Sequence, residues 1–264
     1  MGSKLAVQMY TVREFTKTAA DFEATLKKIR AIGYEAVQIS AVGCMGGETP
    51  EVDAAAARKM LDDNGLRCIA THRGWTPLAN DTDAEIAFHQ ALGCEFTAIG
   101  GLDGSYYDAG EAGFRSFVAE AAPTIAKLKA AGIRFGYHNH ANEFARYTLG
   151  PKTLYDIFVD EGGPDFCLEL DTYWAVHGGA DPVALFDRLA GRVPVIHVKD
   201  KEVVLGVGPR FAACGEGNLN WDAIIAACRR AGVEWYAVEQ DDCFGRDPFD
   251  ALKSSFDYLA AKGV

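Results

Sequence analysis

Eight short apolar runs, each followed by an amphipathic helical pattern, predict that this 264-residue chain is an α/β protein, a single (β/α)8 TIM barrel. Two further observations point the same way. One helix-to-strand joint recurs five times, and polar side chains gather where barrel strands should end.

The recurring joint reads "AIGYEAVQI", "DNGLRCIAT", "ALGCEFTAI", "AAGIRFGYH" and "RAGVEWYAV". In each, a helical pattern runs into Gly33, Gly65, Gly93, Gly132 or Gly232, and an apolar run follows within one or two residues. Glycine just past a helix supplies a left-handed cap without a Cβ clash. The runs are apolar on both faces, as parallel strands covered by helices should be. Taken in order, the predicted strands are Leu5–Val12, Ala36–Ser40, Arg67–His72, Glu95–Gly100, Arg134–His138, Phe166–Asp171, Val193–Lys199 and Trp235–Glu239. The helices that alternate with them fall near residues 18–32, 51–64, 81–92, 112–131, 152–161, 182–190, 220–231 and 247–262. A doubly wound sheet is the competing architecture, but no G-x-G-x-x-G follows the first strand. No Pro/Ser-rich linker divides the chain, so one domain over residues 1–264 is expected.

Composition narrows the function. Apolar residues make up 49% of the chain and charged residues 24%, ordinary for a globule with a full core. No uninterrupted apolar stretch reaches the length of a membrane span. "MGSKLAVQMYTV" lacks the apolar region and cleavage site of a signal peptide, so a cytoplasmic protein with no membrane partner is expected. The net charge of −11, with no basic run, argues against nucleic acid as a partner. The seven cysteines are odd in number and form no C-x-x-C pair; Cys68, Cys94, Cys167 and Cys228 fall in apolar patterns and read as buried thiols of a reducing compartment.

Barrel enzymes carry their chemistry at the C-terminal strand ends. Here those ends hold Gln8 and Tyr10, then Gln38, then His72 with Trp75 beyond it. Strand five ends in His138 and His140, with Glu143 on the loop; strand six ends in Glu169 and Asp171. Strand seven ends in His197, Lys199 and Asp200, and strand eight in Glu239 and Gln240. His177 is expected on the loop after strand six, leaving only His89 on a helix. A lone histidine is more often structural, and Asp171 or Asp200 alone would read as a helix cap. Four strands ending in imidazole or carboxylate on one side of a barrel are not explained by one cap. Alternation along a strand puts His138 with His140, Glu169 with Asp171, and His197 with Lys199 on shared faces. Two imidazoles and two carboxylates suit one divalent ion, Mn²⁺, Co²⁺ or Zn²⁺, better than Ca²⁺ or Mg²⁺, with Mg²⁺ the remaining option. Lys199, on the His197 face, is placed to hold a substrate oxygen or an enolate. Tyr10, Trp75 and Trp174 offer apolar faces to sugar C–H groups, with barrel packing as the other reading of each.

Together, "VQMYTVRE", "GYHNHANEF", "LELDTYWAVHGGADP", "VPVIHVKDKE", "CGEGNLNW" and "VEWYAVEQDD" resemble the sugar phosphate isomerase/epimerase proteins of the xylose-isomerase-like TIM barrel superfamily, over nearly the whole chain. The resemblance implies one divalent metal held from strands five to eight, with Asp171, His197 and Glu239 at three matching positions. At the fourth, His138 stands where the family usually has glutamate, as in inosose dehydratases and a branch acting on 3-keto sugars; His140 and Glu143 are the alternative ligands from this strand. It further implies proton abstraction next to a carbonyl on a small carbohydrate, giving isomerisation or epimerisation. Loss of a β-hydroxyl would make the enzyme a dehydratase or lyase of inosose or 3-keto-glycoside type instead. His140, Glu143 and Glu239 are the candidate bases, with His140 placed as the acid/base; Glu143 could also bind sugar hydroxyls or orient His140. Gln8, Tyr10, His72, Trp75 and Trp174 are the expected substrate contacts, and a homo-oligomer is a further expectation. A DNA-repair endonuclease on the same fold is disfavoured by the acidic charge. A non-catalytic sugar-binding module is disfavoured by the intact Asp171, His197 and Glu239 set.

Overall fold

The computed structural model describes residues 4–147 and 151–264; the N-terminal reading at residues 1–3 lies outside them. The strand and helix runs alternate as the sequence predicts. They are β1 (Leu5–Gln8), α1 (Ala19–Ile32), β2 (Ala36–Ile39), α2 (Ala54–Asp63) and β3 (Arg67–His72). Next come α3 (Trp75–Asn80), α4 (Thr82–Leu92), β4 (Phe96–Ile99), α5 (Gly104–Asp108), α6 (Gly110–Ala130) and β5 (Arg134–His138). The second half holds α7 (Leu154–Glu161), β6 (Phe166–Asp171), α8 (Thr172–His177), α9 (Pro182–Arg188) and β7 (Val195–Val198). It closes with β8 (Asp200–Val204), β9 (Gly208–Ala212), α10 (Trp221–Ala231), β10 (Trp235–Val238) and α11 (Pro248–Ala261). Eight strands close a parallel barrel in the order β1-β10-β7-β6-β5-β4-β3-β2, and β8 and β9 form a separate antiparallel hairpin. This is the TIM barrel.

Several local expectations are corrected. The first strand stops at Gln8, because residues Met9–Phe15 coil into 3-10 turns whose start is capped by the Gln8 side chain. α3, α5, α8 and the hairpin fall where the sequence suggested only loops. They are too short for a helical or alternating pattern to stand out. His177 therefore ends α8 and is not on a loop.

The inward face of the barrel is stratified, and the two-residue strand period shows why. Ala36 precedes Gln38, Gly136 precedes His138, Cys167 precedes Glu169 and Asp171, Val195 precedes His197, and Ala237 precedes Glu239. The lower layer is a small apolar core built mostly of alanines, with Phe96 filling the space that Gly136 leaves. A Cβ at Gly136 would come within 2.5 Å of the Phe96 ring, so this glycine is needed for the close approach. The upper layer is polar and buried. The main core lies between the strands and the helical ring, where apolar side chains such as Phe114, Phe117, Phe158 and Phe166 pack together.

Asp200 fixes the loop that follows the hairpin. Its buried carboxylate accepts from the backbone N–H of Gly215 at 2.9 Å and of Gly217 at 3.1 Å, and from Trp221 Nε1 at 2.7 Å. The "CGEGNLNW" stretch thus folds around an internal carboxylate. Gly217 is obligatory there, since a Cβ would lie 2.4 Å from Asp200 Oδ1.

Candidate metal centre

Four side chains from β5, β6, β7 and the end of β10 converge in the polar layer. His138, Asp171, His197 and Glu239 each offer one ligand atom, all within 4.8 Å of one another, and all four residues are buried. His138 Nε2 lies 3.3 Å from Asp171 Oδ2; His197 Nδ1 lies 3.8 Å from Asp171 Oδ2 and 2.8 Å from Glu239 Oε2. Parallel register creates this convergence, pairing Asp171 with His197 and His197 with Ala237, two residues before Glu239.

The outer atoms of Asp171 and His197 are already occupied, which leaves their inner ones for an ion. Asp171 Oδ1 accepts from the Trp174 backbone N–H at 2.9 Å, capping α8 and leaving Oδ2 toward the cluster. His197 Nε2 lies 2.9 Å from Gln38 Oε1, and the Gln38 amide donates to Glu169 Oε1 at 2.9 Å. Histidine ligands commonly donate their second ring N–H in this way, which orients the free nitrogen. His197 Nδ1 and Glu239 Oε2 are buried facing each other, with Lys199 beside the carboxylate, and point into the cluster. Two imidazole nitrogens and two carboxylate oxygens, buried and convergent, fit a divalent transition ion.

A second layer surrounds them. His72 Nε2 lies 2.5 Å from Glu169 Oε2, and its ring stacks 5.2 Å from that of His197. Lys199 is buried, with Nζ 3.0 Å from Asp171 Oδ2, 2.7 Å from Glu239 Oε2 and 2.8 Å from Asp241 Oδ1.

The charges explain the titration shifts. Burial alone would lower the His197 pKa, but Glu169 and Glu239 outweigh it and raise it to about 10. Burial would likewise lower Lys199, and the carboxylates of Asp171, Glu239 and Asp241 hold it above its ordinary value. Burial would raise Glu239, yet Lys199 and His197 pull it well down. Asp241 is pushed up to about 6 by burial and by the Glu239 charge, against the pull of Lys199. Burial lowers His138, helped by its neighbours His197 and His72, and burial also lowers His140.

Above the quartet opens a cavity of about 290 Å³, whose walls include Gln8, Tyr10, His72, His138, His140, Lys199 and Glu239. His140 sits at its rim, its ring 4.9 Å from that of His138 and 5.3 Å from that of Trp174. Trp174 does not line this cavity but closes its side near Lys199, 5.8 Å away, and its buried indole N–H has no partner.

Besides Trp174, two of the expected site residues lie outside the cavity. Trp75 is buried at the start of α3, its ring 5.0 Å from Phe117 and 6.2 Å from Phe135, so it packs between α3, α6 and β5. Glu143 is wholly buried away from the cavity. Its Oε1 accepts from the hydroxyls of Tyr107 and Tyr137, both at 2.6 Å, and its Oε2 accepts from the His140 backbone N–H at 2.8 Å. It therefore fixes the His140 loop and is not free to meet sugar hydroxyls. Asp241, Ser40, Ala41 and Gly100 line the cavity without having been singled out from the sequence. Only Asp241 carried a signal, one pleat beyond Glu239 in "EQDD".

Fold and site together define a barrel enzyme scaffold with a buried His/Asp/Glu group that could hold a metal ion. The chain belongs to the xylose isomerase-like TIM barrel family, whose model matches residues 26–262. A sugar phosphate isomerase/epimerase from Parabacteroides distasonis is similar to it at 25% identity and a TM-score of 0.80, over 99% of this chain and 94% of that one. An L-ribulose 3-epimerase is 15% identical with a TM-score of 0.72, over 99% of this chain and 94% of that one. A probable 3-DHS dehydratase from Bacillus anthracis is 16% identical with a TM-score of 0.71, over 98% of this chain and 99% of that one. The last two share the fold alone. No curated protein sequence matches the chain. Among the described residues no helix is long and apolar enough to cross a membrane.

Proposed function

We propose that the protein is a divalent-metal-dependent sugar isomerase or epimerase that removes a proton next to the carbonyl of a small sugar, keto-sugar or inositol derivative. The observation that carries this reading is the buried quartet of His138, Asp171, His197 and Glu239 beneath a polar-walled cavity. When bound there, a divalent ion supplies Lewis-acid polarisation of the carbonyl and of the enediolate oxygen.

The protein's own groups do the rest. His140 stands at the cavity rim with its backbone pinned by Glu143, the placement of a general base that must reach a C–H bond. His72, held on Glu169 and also lining the cavity, is a second imidazole that can return a proton. Lys199 presents an ammonium toward a developing oxyanion, steadied by Asp241. Gln8 and Tyr10 reach the cavity from the end of β1 and supply polar contacts for hydroxyls.

The presence of two cavity-lining imidazoles, His72 and His140, also supports a dehydratase or lyase, in which one removes the α-proton and the other protonates a departing β-hydroxyl. The test is incubation of the Mn²⁺-loaded protein in D₂O with a panel of keto-sugars, inosose and 3-keto-glycosides. Deuterium next to a carbonyl is expected in at least one member, with the product identifying isomerisation, epimerisation or dehydration. Failure to exchange any member, by a protein shown to hold the ion, contradicts the proposal.

A further inference from the structure

A second cavity of about 170 Å³ adjoins the first. The two share Ser40, Ala41 and His72 as a common wall, so the second space lies immediately beside the one over the metal centre. Its own walls are mainly apolar: Ile39, Val42 and Met45 from the end of β2 and the turn after it, and Phe88 from α4. The turn joining the cavities is held in an uncommon conformation. Ala41 has φ 51°, in the left-handed region that costs a residue with a Cβ about 1 kcal/mol or more. Such strain tends to persist where a site needs the chain to turn.

Charge decides what this space accepts. The cations on the two linings are Lys199 and Arg73. Arg73 is held in a two-point pair with Glu85, Nε to Oε2 at 2.8 Å and the second nitrogen to Oε1 at 2.6 Å. Its guanidinium also lies 4.4 Å over the Phe88 ring. Lys199 is encircled by Asp171, Glu239 and Asp241. Arg73, the cation on the second cavity, is spent on Glu85, so among the described residues that cavity has no free cation for a phosphate.

We infer that the second cavity binds an uncharged, mainly apolar substituent of the sugar whose carbonyl faces the metal centre, so that the substrate is a substituted, unphosphorylated carbonyl sugar. This rests on the proposed role of the first cavity. An apolar space of about 150 Å³ is enough to take a benzene-sized ring, so one ring is the expected size of the substituent.

The test is binding to the Mn²⁺-loaded protein, read by ligand-observed NMR, with methyl β-D-glucopyranoside, phenyl β-D-glucopyranoside and glucose 6-phosphate as probes. The phenyl glycoside is expected to bind about tenfold more tightly than the methyl glycoside, with its ring protons receiving the strongest saturation. Met45→Trp, which fills the cavity, should abolish that preference. Met45→Leu should keep it, which separates filling from misfolding. Equal or absent binding of the two glycosides overturns the inference, as does a preference unchanged by Met45→Trp or tighter binding of glucose 6-phosphate. A phenyl preference without deuterium exchange on any panel member would sink the isomerase reading and leave the apolar subsite standing; exchange without the preference would do the reverse.

Discussion

His138 and His140 differ by one pleat of one strand, and that step separates two kinds of chemistry. His138 is buried against Asp171 and His197, while His140 is half-buried at the rim beside Trp174. The assignment predicts opposite phenotypes. His138→Ala should lose Mn²⁺ affinity first, measured by competition with a chromogenic chelator. His140→Ala should keep the ion and lose most solvent-deuterium exchange, on the order of 10²–10⁴-fold for a general base. The reverse pattern would exchange the two roles. At this scale the sequence was informative because strand alternation groups His138, Asp171 and His197 with other polar strand-end residues on shared faces, and the family resemblance picks out these three with Glu239. It was uninformative for Glu143, because a carboxylate three residues beyond His140 reads equally as a solvent-facing group or a loop anchor. Only the Tyr107 and Tyr137 hydroxyls, the first brought in from α5, decide between them.

At the scale of elements, the long amphipathic helices and the glycine-ended joints were legible, and the short pieces were not. Trp75 shows the cost of missing α3: placed on a loop it looks like a sugar platform, and placed on a helix it becomes core. Trp75→Ala should therefore destabilise the fold by about 3–5 kcal/mol in urea unfolding while leaving Mn²⁺ affinity unchanged. Loss of ligand binding without loss of stability would restore the platform. His89 on α4 makes a second case. Its Nδ1 lies 2.7 Å from the Glu85 carbonyl and its Nε2 lies 2.7 Å from the Thr71 hydroxyl, tying α4 to β3. Burial pushes its pKa below the ordinary value, against the Glu85 carbonyl and carboxylate and together with Arg73. The folded state thus keeps His89 neutral while the unfolded chain takes up a proton below about pH 6.5. Stability from this group is full above that pH and falls as pH drops toward the lowered folded value. Unfolding free energies at pH 7.5 and 5.5 should show wild type losing its advantage over His89→Gln; a constant difference would contradict this.

The whole molecule divides along the barrel axis. Small apolar residues fill the lower lumen, and the upper lumen concentrates carboxylates, imidazoles and one buried lysine. Sequence showed both halves, since each inward series runs from alanine, glycine, cysteine or valine to a polar residue. The second cavity was not visible, because Ile39, Met45 and Phe88 read as ordinary packing and come from separate elements. An ion held by the folded site and not by the unfolded chain stabilises the fold by mass action. Mn²⁺ should therefore raise the melting temperature of chelator-stripped protein, with the rise growing as the logarithm of free ion above its Kd. Asp171→Asn should abolish that rise; an undiminished rise would move the ion elsewhere.

The most direct test of the metal centre is anomalous scattering at the manganese edge from crystals grown with Mn²⁺. One strong peak is predicted, within about 2.0–2.3 Å of His138, Asp171, His197 and Glu239 and bonded to all four. A barrel with no peak there, or with a peak that excludes His138, would contradict the account.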